Sequence, residues 1–297
     1  MPHGPRLTLG KRSQAGVASR WLALQTRLVC RQGQAAGEDF ELGKMQLTIT
    51  ALDGVPRVEP GDDLAGLLIA ALEGNGVAPR ARDILVVTSK IVSKAEGRYL
   101  DLGRIQPSER ARELAQITRK DARLVEAILA EATEVIRAKP NVLIVATRHG
   151  FVMANAGIDQ SNLGAEDHGR RVLLLPQAPD DSARRLKERL DAHFRTDIGV
   201  VISDSVGRAW RLGTVGLGLG AAGVPALWDR RGETDLSGRP LKVTEVGFAD
   251  AVAAVAVLAM GEAAEGRPAA LVRGLDWSAP VRPASALIRP RPEDLFR

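Results

Sequence analysis

The 297-residue sequence contains a single cysteine, Cys30, and no run of eighteen consecutive apolar residues. One cysteine excludes an intrachain disulfide and a thiolate metal cluster, and it leaves the chain after residue 44 without a cysteine nucleophile. Such scarcity is typical of a reducing compartment, so we expect a cytoplasmic protein. Because no apolar run is long enough to cross a bilayer, we expect no membrane partner.

Several signatures of nucleotide, metal and nucleophile sites are also missing. The sequence has no GxxxxGK[ST] loop, no HExxH or CxxC motif and no GxSxG elbow, and its histidines are scattered, so zinc is not expected. A GxGxxG does run from Gly218 to Gly223, but a valine and a proline follow it where a dinucleotide-binding helix should begin. We interpret 213–223 as a closely packed small-residue segment. A flavin- or nicotinamide-dependent oxidoreductase that uses Gly218 to Gly223 stays open as an alternative.

Positive charge is concentrated at the start of the chain. Residues 1–44 hold seven Lys and Arg against three acids, which accounts for +4 of the net charge of +5. The remainder is nearly neutral, so nucleic acid is not an expected partner. Because a strand-like sequence opens at Met45, we predict that 1–44 is a disordered or wrongly assigned N-terminal extension. A basic, amphipathic targeting segment is the alternative. The Pro-rich segment 276–297 is predicted to be a C-terminal tail, extended over 280–292.

Apolar periodicity predicts strands and helices that alternate irregularly after Met45. Glycine- and proline-rich connections favour an α+β fold with mixed sheets and packed helices over a regular βαβ series. One helix is predicted over 120–136, from apolar residues at helical spacing, among them Leu124, Ile128 and Val135. Strands are predicted at 83–88, 142–146, 172–175, 198–203, 242–247 and 269–273, and further helices at 62–73, 108–115, 181–194 and 249–260.

The most informative segment is IGVVISDSVGRAWRLG, residues 198–213. Its apolar residues predict a buried strand that ends at Asp204 and Ser205, before a glycine turn with Arg208 and Arg211. A carboxylate beside a hydroxyl suits a hard cation such as Mg²⁺ or Mn²⁺, and arginines suit phosphate oxygens. An aspartate that caps a turn between two solvated arginines explains the same residues, and that alternative stays open here.

Polar groups follow other predicted elements in the same way. Ser89, Lys90, Ser93 and Lys94 follow one strand, the segment 155–162 places Asp159 among amides and hydroxyls after another, and Glu262 follows a helix. Separated acids interleaved with lysines and arginines are typical of a site for a metal-bound nucleotide.

Four segments in order, DILVVTSKIVSKAEG at 83–97, RHGFVMANAGIDQSN at 148–162, VVISDSVGRAWRLG at 200–213 and RGETDLSGRPLKVTE at 231–245, resemble the coenzyme F-420 γ-glutamyl ligase family. The resemblance covers about residues 45–275 and implies one ligase domain there, with an α+β fold of two sub-domains. The family joins L-glutamate to the lactyl carboxylate of the deazaflavin precursor F-420-0 through an acyl phosphate, at the expense of GTP. It implies Mn²⁺ or Mg²⁺, leaves K⁺ open as a further cation, and implies a homodimer with F-420-0, L-glutamate and GTP as small-molecule partners. A non-catalytic GTP-binding module is a further alternative.

Carried over position by position, the resemblance assigns three sets of residues. Ser205 stands where the family commonly has threonine, which keeps the hydroxyl. The implied GTP contacts are Asp53, Gly54, Val55, Pro56, Ser89, Lys90, Lys94, Asn162, Met260, Gly261 and Arg267; the implied metal ligands are Asp159, Asp204, Ser205 and Glu262; the implied catalytic residues are Asp204, Arg208 and Lys90.

Overall fold

The structure is a computed structural model that describes residues 45–161 and 169–294. The extension predicted at 1–44, and Asn162, lie outside the described residues. The strands are β1 (Thr48–Ala51), β2 (Ile84–Thr88), β3 (Tyr99–Asp101), β4 (Ala132–Lys139), β5 (Val142–Thr147), β6 (Val152–Ala154), β7 (Arg171–Leu173), β8 (Gly199–Gly207), β9 (Thr214–Ala222), β10 (Leu227–Asp229), β11 (Glu245–Gly247) and β12 (Ala269–Arg273). The helices are α1 (Leu64–Gly74), α2 (Ser89–Ala95), α3 (Glu109–Thr118), α4 (Ala122–Glu131), α5 (Pro179–Phe194) and α6 (Phe248–Met260).

A five-stranded mixed sheet forms the centre of the described chain, in the order β1-β12-β2-β8-β9. Strands β2 and β8 run parallel, and the other neighbours are antiparallel. Both faces of β2 are covered: Leu85 and Val87 pack with α1 and α5, whereas Ile84 and Val86 pack with α6. Burial on two faces explains why the sequence of β2 is uniformly apolar. The α+β class with a mixed sheet and packed helices is confirmed.

A second hydrophobic cluster lies around α3, α4 and the three-stranded sheet β4-β5-β6. Here the predicted helix over 120–136 is wrong in its second half. Helix α4 ends at Glu131, and Val135 lies in β4 opposite Val145 of β5. Helical spacing of apolar residues continued into β4, but its β-branched residues favour a strand, and pairing with β5 decides the outcome.

Strand β8 is longer than the sequence predicts, because it continues through Gly207 and pairs with a strand, β9, that we did not predict. Asp204 and Ser205 therefore lie within β8 rather than beyond its end. Because β9 is rich in glycine, its sequence does not show the pattern of a strand. A side chain at Gly216 would overlap the carbonyl group of Ala253 in α6, and one at Gly220 would overlap that of Pro179 in α5. The segment is closely packed, as expected, but it is a strand.

The Pro-rich segment after residue 276 also differs from the expectation of an extended tail over 280–292. Ala284 is buried, and Leu287 packs onto the cluster that surrounds α6. Asp180, in the first turn of α5, accepts backbone hydrogen bonds from Ala221 of β9 at 2.9 Å, Ala284 at 2.8 Å and Ser285 at 3.1 Å. One carboxylate thus joins this segment to the edge of the main sheet. Across the described residues, no helix combines the length and apolar character needed to cross a membrane.

Candidate active site

A cavity of about 750 Å³ opens at the C-terminal end of β2, where the parallel pairing of β2 with β8 stops and β8 continues alongside. Thr88, the last residue of β2, lies opposite Ser203 of β8, so the residues that follow both positions meet at one edge of the sheet. The loop before α1, the turn after β6 and the loop after α6 complete the walls. The predicted site residues that line the cavity are Val55, Pro56, Lys90, Lys94, Asp159, Asp204, Ser205, Met260, Gly261, Glu262 and Arg267.

Lys90 and Asp159 form an ion pair in this cavity. Lys90 Nζ lies 2.7 Å from Asp159 Oδ2 and donates a hydrogen bond to Ser161 Oγ at 3.0 Å. The backbone N–H and hydroxyl of Ser161 both donate to Asp159 Oδ1 at 2.7 Å. Burial on its own would raise the pKa of Asp159, but the hydrogen bonds from Lys90 and Ser161 outweigh it and lower that pKa. Asp159 is therefore a carboxylate at neutral pH.

Asp204 lines the same cavity, but its pKa is shifted in the opposite direction from that of Asp159. Burial raises the pKa of Asp204 to about 6, and the negative charge of Asp159 acts in the same direction. Hydrogen bonds from the backbone of Ser205 and the hydroxyl of Ser89, together with the charge of Lys90, only partly oppose this rise. Two neighbouring carboxyl groups that differ in this way would both be stabilised as anions by a cation between them.

Positive side chains also line the cavity. Lys94 is buried, and burial lowers its pKa, with Arg57 and Lys90 contributing in the same direction. Arg57, which also lines the cavity, pairs with Glu59 at 2.9 Å. Three positively charged side chains around one concave surface attract a polyanion such as a nucleoside triphosphate.

The third predicted acid, Glu262, is held apart from the other two. Glu262 Oε1 accepts hydrogen bonds from Ser205 Oγ at 2.9 Å and from Thr214 Oγ1 at 3.4 Å. Within 45–161 and 169–294, no three His, Cys, Asp or Glu side chains come close enough together to hold a metal ion by themselves. The structure thus brings Asp159 and Asp204 together, with Glu262 linked through Ser205.

The donor groups present nevertheless fit a hard cation that shares its coordination with phosphate oxygens. Ser203 Oγ is buried, lines the cavity beside Asp204 and has no hydrogen-bond partner among the described residues. A buried hydroxyl without a partner is costly unless a ligand satisfies it. Carboxylate and hydroxyl oxygens are the donors that Mg²⁺ and Mn²⁺ accept, and Mg²⁺ commonly takes only one or two carboxylates from the protein.

Four predicted residues do not line this cavity. Arg208 is exposed in the β8–β9 hairpin, where its guanidinium donates to the carbonyl of Gly213 at 3.1 Å. Asp53 accepts a hydrogen bond from Arg267 at 2.8 Å, and Gly54 follows it in the same loop. Ser89 is buried behind the wall and reaches the site only through its hydrogen bond to Asp204.

Among the lining residues to which the sequence assigned no role, Arg57, Ser161 and Ser203 bear on the chemistry of the cavity. A hydroxyl inside an apolar strand, directly before the acid, was available as a pointer to Ser203. Arg57 directly follows the implied nucleotide segment at 53–56. Ser161 belongs to the segment 155–162, whose amides and hydroxyls were expected around Asp159, although no separate role was assigned to it.

Comparison with known proteins gives a consistent result. A family model described as F420-0:gamma-glutamyl ligase matches residues 54–274. A protein named coenzyme F420:L-glutamate ligase from Methanothermobacter thermautotrophicus is 45% identical over 258 residues, which is 85% of this chain and 100% of the relative. Relatives of the same name are 45% identical over 246 residues in Methanopyrus kandleri (81% of this chain, 94% of the relative) and 42% identical over 232 residues in Archaeoglobus fulgidus (78% and 89%).

Proposed function

The chain belongs to the F420-0:gamma-glutamyl ligase family, and on that premise we propose that it joins L-glutamate to the carboxylate of coenzyme F-420-0 with GTP as co-substrate. The observation that carries this proposal is the cavity at the C-terminal end of β2 and the second half of β8. Lys90, Lys94 and Arg57 there face two carboxyl groups, Asp159 and Asp204. A site for a metal-bound nucleotide needs positive side chains that bind the phosphates and carboxylates that bind the metal ion.

The chemistry explains why such a site is needed. A carboxylate does not form an amide with an amine at neutral pH, because the oxygen that must leave is too basic. Transfer of the γ-phosphoryl group of GTP to the acceptor carboxylate produces an acyl phosphate and GDP. The amine of L-glutamate then attacks the acyl carbon, loses a proton and expels inorganic phosphate. Each amide bond therefore consumes one GTP.

The residues of the cavity have distinct parts in this scheme. Lys90 and Lys94 bind phosphate oxygens and offset their charge. Asp159 and Asp204, with the hydroxyls of Ser205 and Ser203, would hold Mn²⁺ or Mg²⁺, which when bound neutralises charge on the β- and γ-phosphates. Glu262 orients Ser205 through their hydrogen bond. The loop 260–268 borders the same cavity, where it would shield a reactive acyl phosphate from water.

The oxidoreductase alternative finds no support in the packing of β9. Gly216 and Gly218 lie against α6 and Gly220 lies against the start of α5, so close packing of these helices accounts for the glycines. A GTP-binding module without catalysis remains distinguishable by experiment, since it would bind GTP without releasing GDP when acceptor and glutamate are added.

The decisive experiment is mass spectrometry of F-420-0 after incubation with the protein, GTP, Mn²⁺ and L-glutamate. We expect products heavier by one or more glutamyl residues, with one GDP for each. A Lys90→Met variant should form little product, whereas Lys139→Met, which removes an exposed lysine of β4, should match the wild type. An unchanged acceptor, or GDP release that does not depend on the acceptor, would refute the proposal.

We also propose that the protein acts as a homodimer. Trp210 and Leu212, at the tip of the β8–β9 hairpin, are 81% and 99% exposed. Large apolar side chains this exposed are typical of surfaces that contact another chain. Light scattering should give a mass of two chains, and a mass of one chain would contradict the proposal.

A further inference from the structure

A second, smaller cleft of about 260 Å³ adjoins the cavity. Met153 and Val206 line both of them. Most of its other walls are apolar, and it lies against the edge strand β9, with one side closed by the C-terminal segment. Its lining includes Phe151, Leu217, Gly218, Leu219, Asp250 and Leu287.

Asp250 of α6 is one of two acids that line this mostly apolar cleft; the other, Asp294, lies in the C-terminal segment, as does Arg289, which lines the cleft too. Asp250 lies in the first turn of α6, and its Oδ1 accepts the backbone N–H of Gly218 at 2.8 Å. Among the described residues it makes no ion pair and no second hydrogen bond. Burial raises its pKa, as expected for a carboxyl group that apolar side chains surround. The carboxyl group of Asp250 has no part in the proposed phosphorylation and amide-forming steps.

We propose that this cleft binds the planar ring system of the acceptor, with the free oxygen of Asp250 accepting a hydrogen bond from the imide N–H of the ring. The inference rests on the proposed function, because the acceptor of that reaction carries a deazaflavin. Such a ring is flat and largely apolar, and its imide N–H lies between two carbonyl groups. Phe151, Leu217 and Leu219 offer apolar contact to its faces, and the half-buried carboxylate of Asp250 offers an acceptor for the imide N–H.

The position of the cleft fits the chain that connects the ring to the reacting carboxylate. Val206, in the wall shared by both spaces, lies two residues after Asp204 in β8. Two residues of a strand span about 7 Å. A ring in the cleft is therefore held beside the cavity in which its carboxylate would be phosphorylated.

The competing explanation is that Asp250 only caps an exposed edge of the sheet. A strand edge presents unpaired N–H groups, and Asp250 satisfies that of Gly218. Asp250→Asn separates the two explanations. The amide oxygen of asparagine can still accept the hydrogen bond from the backbone N–H of Gly218. Its NH₂ group then faces the cleft and cannot accept a hydrogen bond from the imide N–H of the ring, because both groups are donors.

Binding is measured from the fluorescence of the deazaflavin, without nucleotide, using F-420-0 and a ribityl deazaflavin that lacks the phospholactyl group. We expect Asp250→Asn to raise Kd for both probes at least about tenfold, the effect of losing a hydrogen bond to a charged group, and to leave Kd for GTP unchanged. Asp181→Asn, which removes an exposed carboxylate of α5 paired with Arg184, is the matched control and should bind both probes normally.

A second variant tests the space rather than the hydrogen bond. Leu217→Trp adds volume at a half-buried position in the wall of the cleft and should abolish binding of both probes while GTP still binds. If either variant folds, as shown by its Tm, and binds both probes with the wild-type Kd, the ring does not bind in this cleft. Failure of the proposed function looks different: the wild type would then bind the ribityl deazaflavin in an Asp250-dependent way but add no glutamate to F-420-0.

Discussion

Asp159 and Asp204 line one cavity, yet their carboxyl groups have opposite pKa shifts. Lys90 and Ser161 compensate the charge of Asp159, whereas Asp204 has only partial compensation in its buried position in β8. The unsatisfied Ser203 hydroxyl lies beside it. Within the described part of the chain, one acid and one hydroxyl are therefore short of partners, as expected of a site that a cation and a nucleotide complete.

Replacing either acid by asparagine should abolish GTP-dependent glutamylation. Either loss leaves the phosphate cluster partly unneutralised, so we expect Asp159→Asn and Asp204→Asn each to lower kcat by about a hundredfold or more. The double variant should be hardly worse than either single variant, because the two acids act as one unit. Product formation under varied Mn²⁺ measures both effects.

Ser205 provides the conservative control for this pair. Ser205→Thr keeps the hydroxyl and should be tolerated, whereas Ser205→Ala should weaken the dependence on metal only mildly. If Asp204→Asn retained near-wild-type turnover at low Mn²⁺, Asp204 would not be a ligand.

The raised pKa of Asp204 also predicts how stability without metal depends on pH. A carboxyl group whose pKa rises from 3.8 to about 6 on folding binds its proton more tightly in the folded state. Its ionisation therefore costs stability as pH rises through that window. Asp204→Asn removes the cost, so its Tm relative to the wild type should increase between pH 4.5 and pH 7.5. A difference in Tm that stays constant over this range would show that Asp204 ionises normally.

Among the elements, those buried on both faces were predictable and those shaped by close packing were not. Strands β2 and β8 follow from their apolar, β-branched runs, and the polar residues beside them follow from their position. Strand β9 was missed because its glycines allow α5 and α6 to pack closely against it, and no local sequence pattern predicts such a tertiary contact. Its pairing with β8 extends β8 to Gly207, which places Arg208 in a hairpin away from the cavity. Likewise, nothing local predicts that Lys90 meets Asp159 and Ser161.

Gly220 provides a direct test of the packing role of β9. A side chain there would overlap the backbone of Pro179, which cannot move like a flexible side chain. Gly220→Ala should therefore lower the free energy of unfolding by about 1–3 kcal/mol, and NAD(P)H should not bind to either protein. Gly74→Ala is the control: space around that helical glycine is open, so it should be neutral or stabilise by up to about 1 kcal/mol. Saturable NAD(P)H binding to the wild type would revive the oxidoreductase alternative.

At the scale of the whole molecule, the site draws on segments from across the described chain. The loop at 55–58, the end of β2, the turn at Asp159, the strand β8 and the loop after α6 surround one cavity. These segments meet because two parallel strands carry their ends to one sheet edge and the other segments converge on it. The same sheet is tied at its far edge to the C-terminal segment through Asp180.

The contribution of residues 1–44 is the last property to test. They carry most of the net positive charge, whereas the main sheet and the cavity are built from residues after Met45. Deleting 1–44 should leave glutamylation nearly intact and change Tm by less than about 3 °C, which corresponds to roughly 1 kcal/mol for a chain of this size. Deleting 1–51 is the matched contrast, because it removes β1 and its four pairings with β12 and should lower Tm clearly. A large fall in Tm on removal of 1–44 alone would show that this segment packs on the rest of the protein, and the prediction that it is dispensable would be wrong.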